Sequence, residues 1–319
     1  MNPSEAFAPS TVAADQAIAT VRAGDLRRAL ALARQVAQMG RTQGDAAFLA
    51  ALNSLAIVQG ASGHFIEAIA SSLDACELAN RLGDRRGVLH AAVTVAGVGT
   101  FFLEASSITE ALLAQCRRAV LDLNDDVQRV RLDCAAGLFY MQARRFDESQ
   151  SAFERALAHP AAADSRVWFI TPKFVLSGNL AYLAVYRIAA APADQRPALA
   201  VPATAWIEQA LTVARAHGNV DSEARALYVQ GLMHIHLGDV ERALSDFARV
   251  MDITRRLGHV PRMVDTLLET GKAQRLQGKH SDALVALDEA LSLAETVRPT
   301  ARLAAICDEL AALHGELGH

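Results

Sequence analysis

Small and apolar positions recur along this chain in a single register. A small residue in one helical segment is followed twelve positions later by another: Ala56/Ala68, Gly99/Ala111, Gly137/Ser149, Gly231/Ala243 and Gly271/Ala283. Ala17/Ala29 is a weaker pair, and Ala311 opens a seventh. Two helices approach closely only where neither carries a bulky side chain, so each pair predicts an antiparallel helical hairpin closing on itself. Repetition of one hairpin predicts an all-α solenoid, each unit burying its apolar face against the next. Runs rich in Val, Thr and Tyr with strict alternation are missing, which argues against strands.

The turns keep the same register. Gly24, Gly63, Gly238, Gly278 and Gly318 each fall seven residues after the first small residue, with Ser106 and Arg144 at that place in two other units. Glycine there suits a helix stop with left-handed backbone. A polar residue follows, then often an apolar one, as in Asp25-Leu26, His64-Phe65 and Asp239-Val240. Turn-to-turn distances are 39, 43, 38, 94, 40 and 40 residues, so the long interval holds one further unit.

This pattern resembles the tetratricopeptide repeat in a form of about forty residues rather than ~34. Leu52-Asn53-Ser54-Leu55-Ala56, ending in Gly63-His64-Phe65-Ile66-Glu67-Ala68, looks like repeats of kinesin light chains and of bacterial signalling proteins with similar arrays. Ser177-Gly178-Asn179-Leu180-Ala181-Tyr182 looks like the first helix of the hidden unit. The resemblance covers about residues 13 to 319 and implies a right-handed superhelical α-solenoid. It departs from the pattern at Arg118, where a small residue is expected, and between Ile188 and Ala203.

The expected organisation is therefore a disordered tail at 1–12, repeats over 13–187, a Pro/Ala-rich insertion at 188–203, and further repeats over 204–319. The insertion, Ala189 to Pro197 followed by Pro202, is either a surface excursion, or a hinge or partner-contacting loop between half-arrays. The last repeat stops after its first helix, leaving Ile306, Leu310 and Leu313 as an apolar stripe without a successor. From this the natural chain is expected to continue past His319.

Charge and composition narrow the function. Net charge is −4, with three lysines and no basic block, so no nucleic-acid footprint is present. Met1 to Gln16 lacks the features of a secretory signal, and the uncharged stretch Val88 to Leu103 is too short to span a bilayer. Cys76, Cys116, Cys134 and Cys307 are scattered, which fits reduced thiols and a cytoplasmic location.

Catalytic and metal chemistry find little support. His234 and His236 are two residues apart and point to different sides of a helix, so they read as one packing and one groove histidine rather than as a metal pair. Asp122, Asn124, Asp126, Gln128 and Asp133 echo a calcium loop, but Val127 stands where its glycine belongs. Gly60-Ala61-Ser62-Gly63 lacks the spacing of a nucleophile elbow. No cofactor and no metal is expected, and no enzyme.

Such an array binds. First helices of successive units are expected to line a concave face whose outward positions are Asn53, Ile57, Thr100, Leu138, Gln142, Asn179, Tyr182, Arg225, Tyr228, His236, Lys272 and Arg275. The resemblance implies that asparagines on this face hold a peptide backbone, which carries over to Asn53 and Asn179 only. Arg225, Lys272 and Arg275 would favour an acidic segment. The alternative for each of these residues is a solvated groove position. The function expected is a non-catalytic scaffold for a peptide or protein segment. The alternative is the sensory region of a bacterial signalling protein, fused to a diguanylate cyclase or transcription-regulator output domain.

Overall fold

A computed structural model describes residues 16–21, 25–102, 107–163, 172–216, 218–297 and 300–317. All regular structure among them is helical. The first run of helices is α1 (Leu26–Gln43), α2 (Asp45–Ala61), α3 (Phe65–Leu82), α4 (Arg85–Phe102), α5 (Ser107–Leu123), α6 (Asp126–Gln142) and α7 (Phe146–Ala158), ending in a 3-10 turn at Pro160–Ala163. The second is α8 (Pro172–Ala190), α9 (Arg196–Ala216), α10 (Val220–His236), α11 (Val240–Leu257), α12 (Val260–Leu276), α13 (His280–Val297) and α14 (Thr300–Glu316). The chain divides into two compact units between Leu176 and Ser177.

Within the first unit each helix from α1 to α7 packs on the next, and the first helices of successive hairpins also touch, α2 on α4 and α4 on α6. In the second unit α9 to α14 pack in order, with α10 on α12 and α12 on α14. Each unit is thus a stack of hairpins with one layer of first helices and one of second helices.

Capping residues start many of these helices. Asp25, Asp125, Asn219 and Asp239 each accept the backbone N–H three residues on, at 2.9–3.2 Å. That satisfies a donor the helix cannot pair itself, typically ~1 kcal/mol per cap. The turns behave as the register expects: Gly238 has φ 83° and Arg144, which replaces glycine in the same place, has φ 57°. Gly24, Ser106, Gly318 and the expected tail at 1–12 lie outside the described residues.

Second helices bury one stripe, with positions repeating after four, seven and eleven residues. Ala68, Ser72, Ala75 and Ala79 form it in α3, Ala243, Phe247, Val250 and Thr254 in α11, and Ala283, Leu287, Ala290 and Ala294 in α13. This is one face of a helix. At Gly137, Gly231 and Gly271 the facing side chains are Phe153, Phe247 and Leu287, each fully buried. Burying such a side chain contributes roughly 1.5–3 kcal/mol.

Three expectations change. In α5 the stripe is Thr109, Leu113, Cys116 and Val120, whereas Ala111 is exposed. The pair Gly99/Ala111 is therefore out of register, because two residues along a helix is more than half a turn. Placing Ala111 in the stripe would also bury Gln115, Arg118 and Asp122; the register set by Thr109 buries Leu113, Cys116 and Val120 instead.

The segment 188–203 is mostly helix. Helix α8 runs to Ala190 and α9 begins at Arg196, with Pro197 in its first turn and Pro202 inside it. The Arg196 guanidinium donates to the carbonyls of Ala191 and His236, both at 3.1 Å, and anchors this start. Ala203 then takes the first buried place of the stripe, followed by Ile207, Ala210 and Ala214.

At the C-terminal end, Ile306 and Leu313 are fully buried in one core with Leu287, Ala290 and Ala294, and Leu310 packs partly against it. The apolar stripe of α14 thus faces the preceding hairpin.

Candidate functional site

In the second unit, α8, α10, α12 and α14 carry a connected set of polar and aromatic side chains. Arg225 and Tyr228 lie six and three residues before Gly231; Arg225 is half-buried, whereas Tyr228, like Asn179, is buried rather than presented outward. Arg225 donates to Oδ1 of Asn179, which is only 1% exposed, and its guanidinium stands 5.5 Å from the Tyr182 ring centre. Tyr182 and Tyr228 have ring centres 6.2 Å apart, Tyr228 leans on the buried Phe247 at 5.9 Å, and Arg262 stands 5.9 Å from the Tyr228 ring. Burial pushes both phenols above their ordinary pKa, with Arg262 and Arg225 opposing it at Tyr182 and Asp265 and Glu269 adding to it at Tyr228. Both hydroxyls stay protonated at neutral pH.

Further along the same face the cations are already matched. Arg302 pairs with Asp265, and Lys272 Nζ lies 2.9 Å from Glu269. Arg275 reaches Glu316 at 2.6 Å and Glu309 at 3.1 Å, and the hydrogen bond it donates to Glu316 leads in holding its pKa up despite burial. Lys272 and Arg275, expected to attract an acidic segment, therefore carry carboxylates of their own. Burial lowers the pKa of His236, helped by Arg196 and Lys272, so its imidazole is neutral at physiological pH.

In the first unit, Asn53 and Ile57 are half-buried, Gln142 is exposed and Leu138 is buried at 9% exposure rather than presented outward. The side chain of Thr100 lies outside the described residues. The structure also assembles a group that spacing alone missed, joining α4 to α6. Arg131 donates from Nη1 to Oε1 of Gln128 at 3.1 Å and from Nη2 to Oγ1 of Thr94 at 2.9 Å. The Gln128 amide nitrogen lies 3.4 Å from Nδ1 of His90. A signal was present: Arg131 precedes Gly137 by six residues, as Arg225 precedes Gly231.

Other candidate chemistry is absorbed by structure. His234 Nδ1 meets Asp246 at 2.9 Å across the α10–α11 hairpin. In the segment that echoes a calcium loop, Asp125 caps α6 and Asp133 pairs with Arg155 at 3.1 Å. Among the described residues no group of acidic, histidine or cysteine side chains could hold a metal ion, and no helix is long and apolar enough to cross a membrane.

Residues 222–296, which span the hairpins α10–α11 and α12–α13, match the family model of the tetratricopeptide repeat. These hairpins are tetratricopeptide repeats. The rest of the chain shares their fold with solved structures of low sequence identity. The Rap conjugation gene regulator of plasmid pLS20, solved in complex with the Phr* peptide, matches at 12% identity and TM-score 0.68, over 91% of this chain and 73% of that one. A Rap protein complexed with competence and sporulation factor matches at 15% identity and TM-score 0.63, over 93% of this chain and 79% of that one. A signal transduction ATPase with a tetratricopeptide repeat sensor from Pyrococcus horikoshii matches at 12% identity and TM-score 0.55, over 87% of this chain but 42% of that one. No curated protein sequence matches the chain.

Proposed function

We propose that this chain is a non-catalytic scaffold whose tetratricopeptide repeats bind a peptide or protein segment. The segment would lie along the first-helix layer of the second unit, over Asn179, Tyr182, Arg225 and Tyr228. The observation that carries this proposal is the Tyr182–Arg225 pair, a half-buried ring under a guanidinium, backed by Tyr228. Side chains of this kind supply large contact area at low entropic cost and recur where binding energy concentrates. Two structures of the same fold are complexes with a peptide or factor, which supports this choice of ligand class.

His236, Lys272 and Arg275 belong to the proposed groove of the second unit as secondary positions, while Asn53, Thr100 and Gln142 are proposed as contact positions of the first unit by itself and the buried Leu138 as a supporting one. An acidic segment would have to displace Glu309 and Glu316 from Arg275. A cytoplasmic, bacterial setting belongs to the same proposal. The sensor alternative draws support from the Pyrococcus ATPase, in which a repeat region of this fold forms part of a longer signalling chain.

The test is selection from a random heptapeptide library on the wild-type chain, followed by affinity measurements on Tyr182→Ala and Arg225→Gln. Selected peptides should lose at least about tenfold in affinity on each variant while helicity is kept. Peptides that bind both variants as tightly as wild type would place the site elsewhere.

A further inference from the structure

Two of the second helices carry charge of one sign only. Helix α1 holds Arg27, Arg28, Arg34 and Arg41 and no acidic residue. Helix α13 holds Asp282, Asp288, Glu289 and Glu295 and neither lysine nor arginine. The second helices between them, α3, α5, α7, α9 and α11, all mix both signs. In a chain of net charge −4, the wholly basic α1 runs against the general balance.

The two helices can be compared position by position, because their buried stripes coincide. Ala29, Ala33, Val36 and Gly40 form the stripe of α1, at the places that Ala283, Leu287, Ala290 and Ala294 take in α13. On the opposite side α1 exposes Ala31, Arg34, Gln38 and Arg41, and α13 exposes Val285, Asp288, Ser292 and Glu295. Each row advances by three, four and three residues, so each follows one helix face. Laid side by side in the same direction, the rows set Ala31 against Val285 and Gln38 against Ser292, and each arginine against a carboxylate. Laid in opposite directions they set Arg41 against Val285 and Arg34 against Ser292, and the match is lost.

These charges are not engaged within the chain. No ion pair among the described residues involves Arg34, Arg41, Asp288 or Glu295, whereas Glu289, one step aside, is held by Arg255 at 2.8 Å. The Arg41 guanidinium stands 5.3 Å from the Phe48 ring centre, which steadies it at the end of its row. Val285 is 69% exposed, an apolar side chain left in water beside the carboxylates. A charged helix face is ordinarily only solvated. Solvation gives no reason for two faces of opposite sign to share one order of apolar, charged and polar residues.

We propose that these two faces dock on each other between copies of this chain. Helix α1 of one copy lies parallel to α13 of another, Arg34 beside Asp288 and Arg41 beside Glu295, with Ala31 against Val285. Four residues a side fall far short of the roughly 20–30 of a standard interface, so the association is weak and reversible. Its charges are exposed, so salt screens it. The two surfaces differ, so growth is not confined to two copies. The contact uses second helices and does not depend on the peptide site proposed above.

The experiment is sedimentation equilibrium of the purified chain from about 10 μM to about 1 mM. In ~50 mM sodium chloride the mean mass should rise with concentration, and in ~500 mM the apparent affinity should fall at least about tenfold. Arg34→Glu with Arg41→Glu, and separately Asp288→Arg with Glu295→Arg, should each stay monomeric while circular dichroism shows unchanged helicity. Mixed in equal amounts, the two variants should associate again, because each supplies the face the other requires. A wild-type chain that is monomeric throughout would overturn the proposal. So would variants that associate as the wild type does, or a mixture that stays monomeric.

Discussion

Gly137→Ala tests the closeness of the hairpins on which the whole stack depends. A methyl group built on Gly137 would lie 2.5 Å from Cε1 and 2.6 Å from Cδ1 of Phe153, whose ring is fully buried. Carbon atoms in ordinary contact are roughly 3.5–4.0 Å apart, so the ring or the helix has to move by about 1 Å. Overpacking of this kind costs about 1–3 kcal/mol, and helix propensity returns about 1 kcal/mol for replacing glycine by alanine. Opening the hairpin would also stretch the hydrogen bond from Ser149 Oγ to the Gly137 carbonyl, now 2.7 Å, which contributes about 1 kcal/mol. The net expectation is a loss of about 1–3 kcal/mol. Urea unfolding followed by circular dichroism reads it as a lower transition midpoint; the midpoint serves because stacked repeats need not unfold in one step. Phe153→Leu in the Gly137→Ala background should recover about 1 kcal/mol relative to additivity. A Gly137→Ala chain as stable as wild type, or more so, would refute the close approach.

Arg144→Gly should stabilise by about 0.5–1 kcal/mol and so raise the urea midpoint, since Arg144 holds φ 57° where a side chain is penalised; an unchanged or lower midpoint would show that the turn does not need that backbone. Pro202→Ala should stabilise by about 1–3 kcal/mol, because Pro202 is exposed inside α9 and its replacement restores an N–H to the helix; a loss would mean the proline is favoured there. Burial, helped by Arg131, lowers the His90 pKa from 6.5 to about 3, so the unfolded chain takes up a proton before the folded one does. That contribution is fully present above pH 6.5 and is lost as pH falls towards 3, amounting to at most about 2 kcal/mol by pH 5. Chemical unfolding at pH 7 and pH 5 should show this loss in the wild type and a smaller one in His90→Gln; identical losses would exclude His90 as the source.

Spacing alone reached the hairpin, the stack and most turns, because these depend on local conditions: a small residue where helices cross, a left-handed turn, a capped start. Each leaves a trace at a fixed distance in the sequence, as Gly137/Ser149 and Gly271/Ala283 do. Where the trace misled, local information was ambiguous. Ala111 fits a twelve-residue spacing as well as any small residue, yet Leu113, Cys116 and Val120 outvote it, and the odd Arg118 was the sign of a slipped register. The prolines around 188–203 read as breaks, but Pro197 falls in a first turn and Arg196 fastens that turn to Ala191 and His236.

Functional positions were less legible. First-helix residues could be assigned to a layer by counting, which brought Asn179, Tyr182, Arg225 and Tyr228 onto one face. Counting could not show that Lys272 and Arg275 are neutralised by Glu269, Glu309 and Glu316, nor that Arg131 is not. Arginine hydrogen bonds between successive first helices join residues 34 to 46 positions apart, across a distance set by how the helices stack and which rotamers fit between them. The chain's periodicity therefore determined that there would be a face of first helices, since each hairpin follows from its own residues. Which cations on that face stay available was decided only by tertiary packing, because that depends on neighbours the sequence places a whole repeat away.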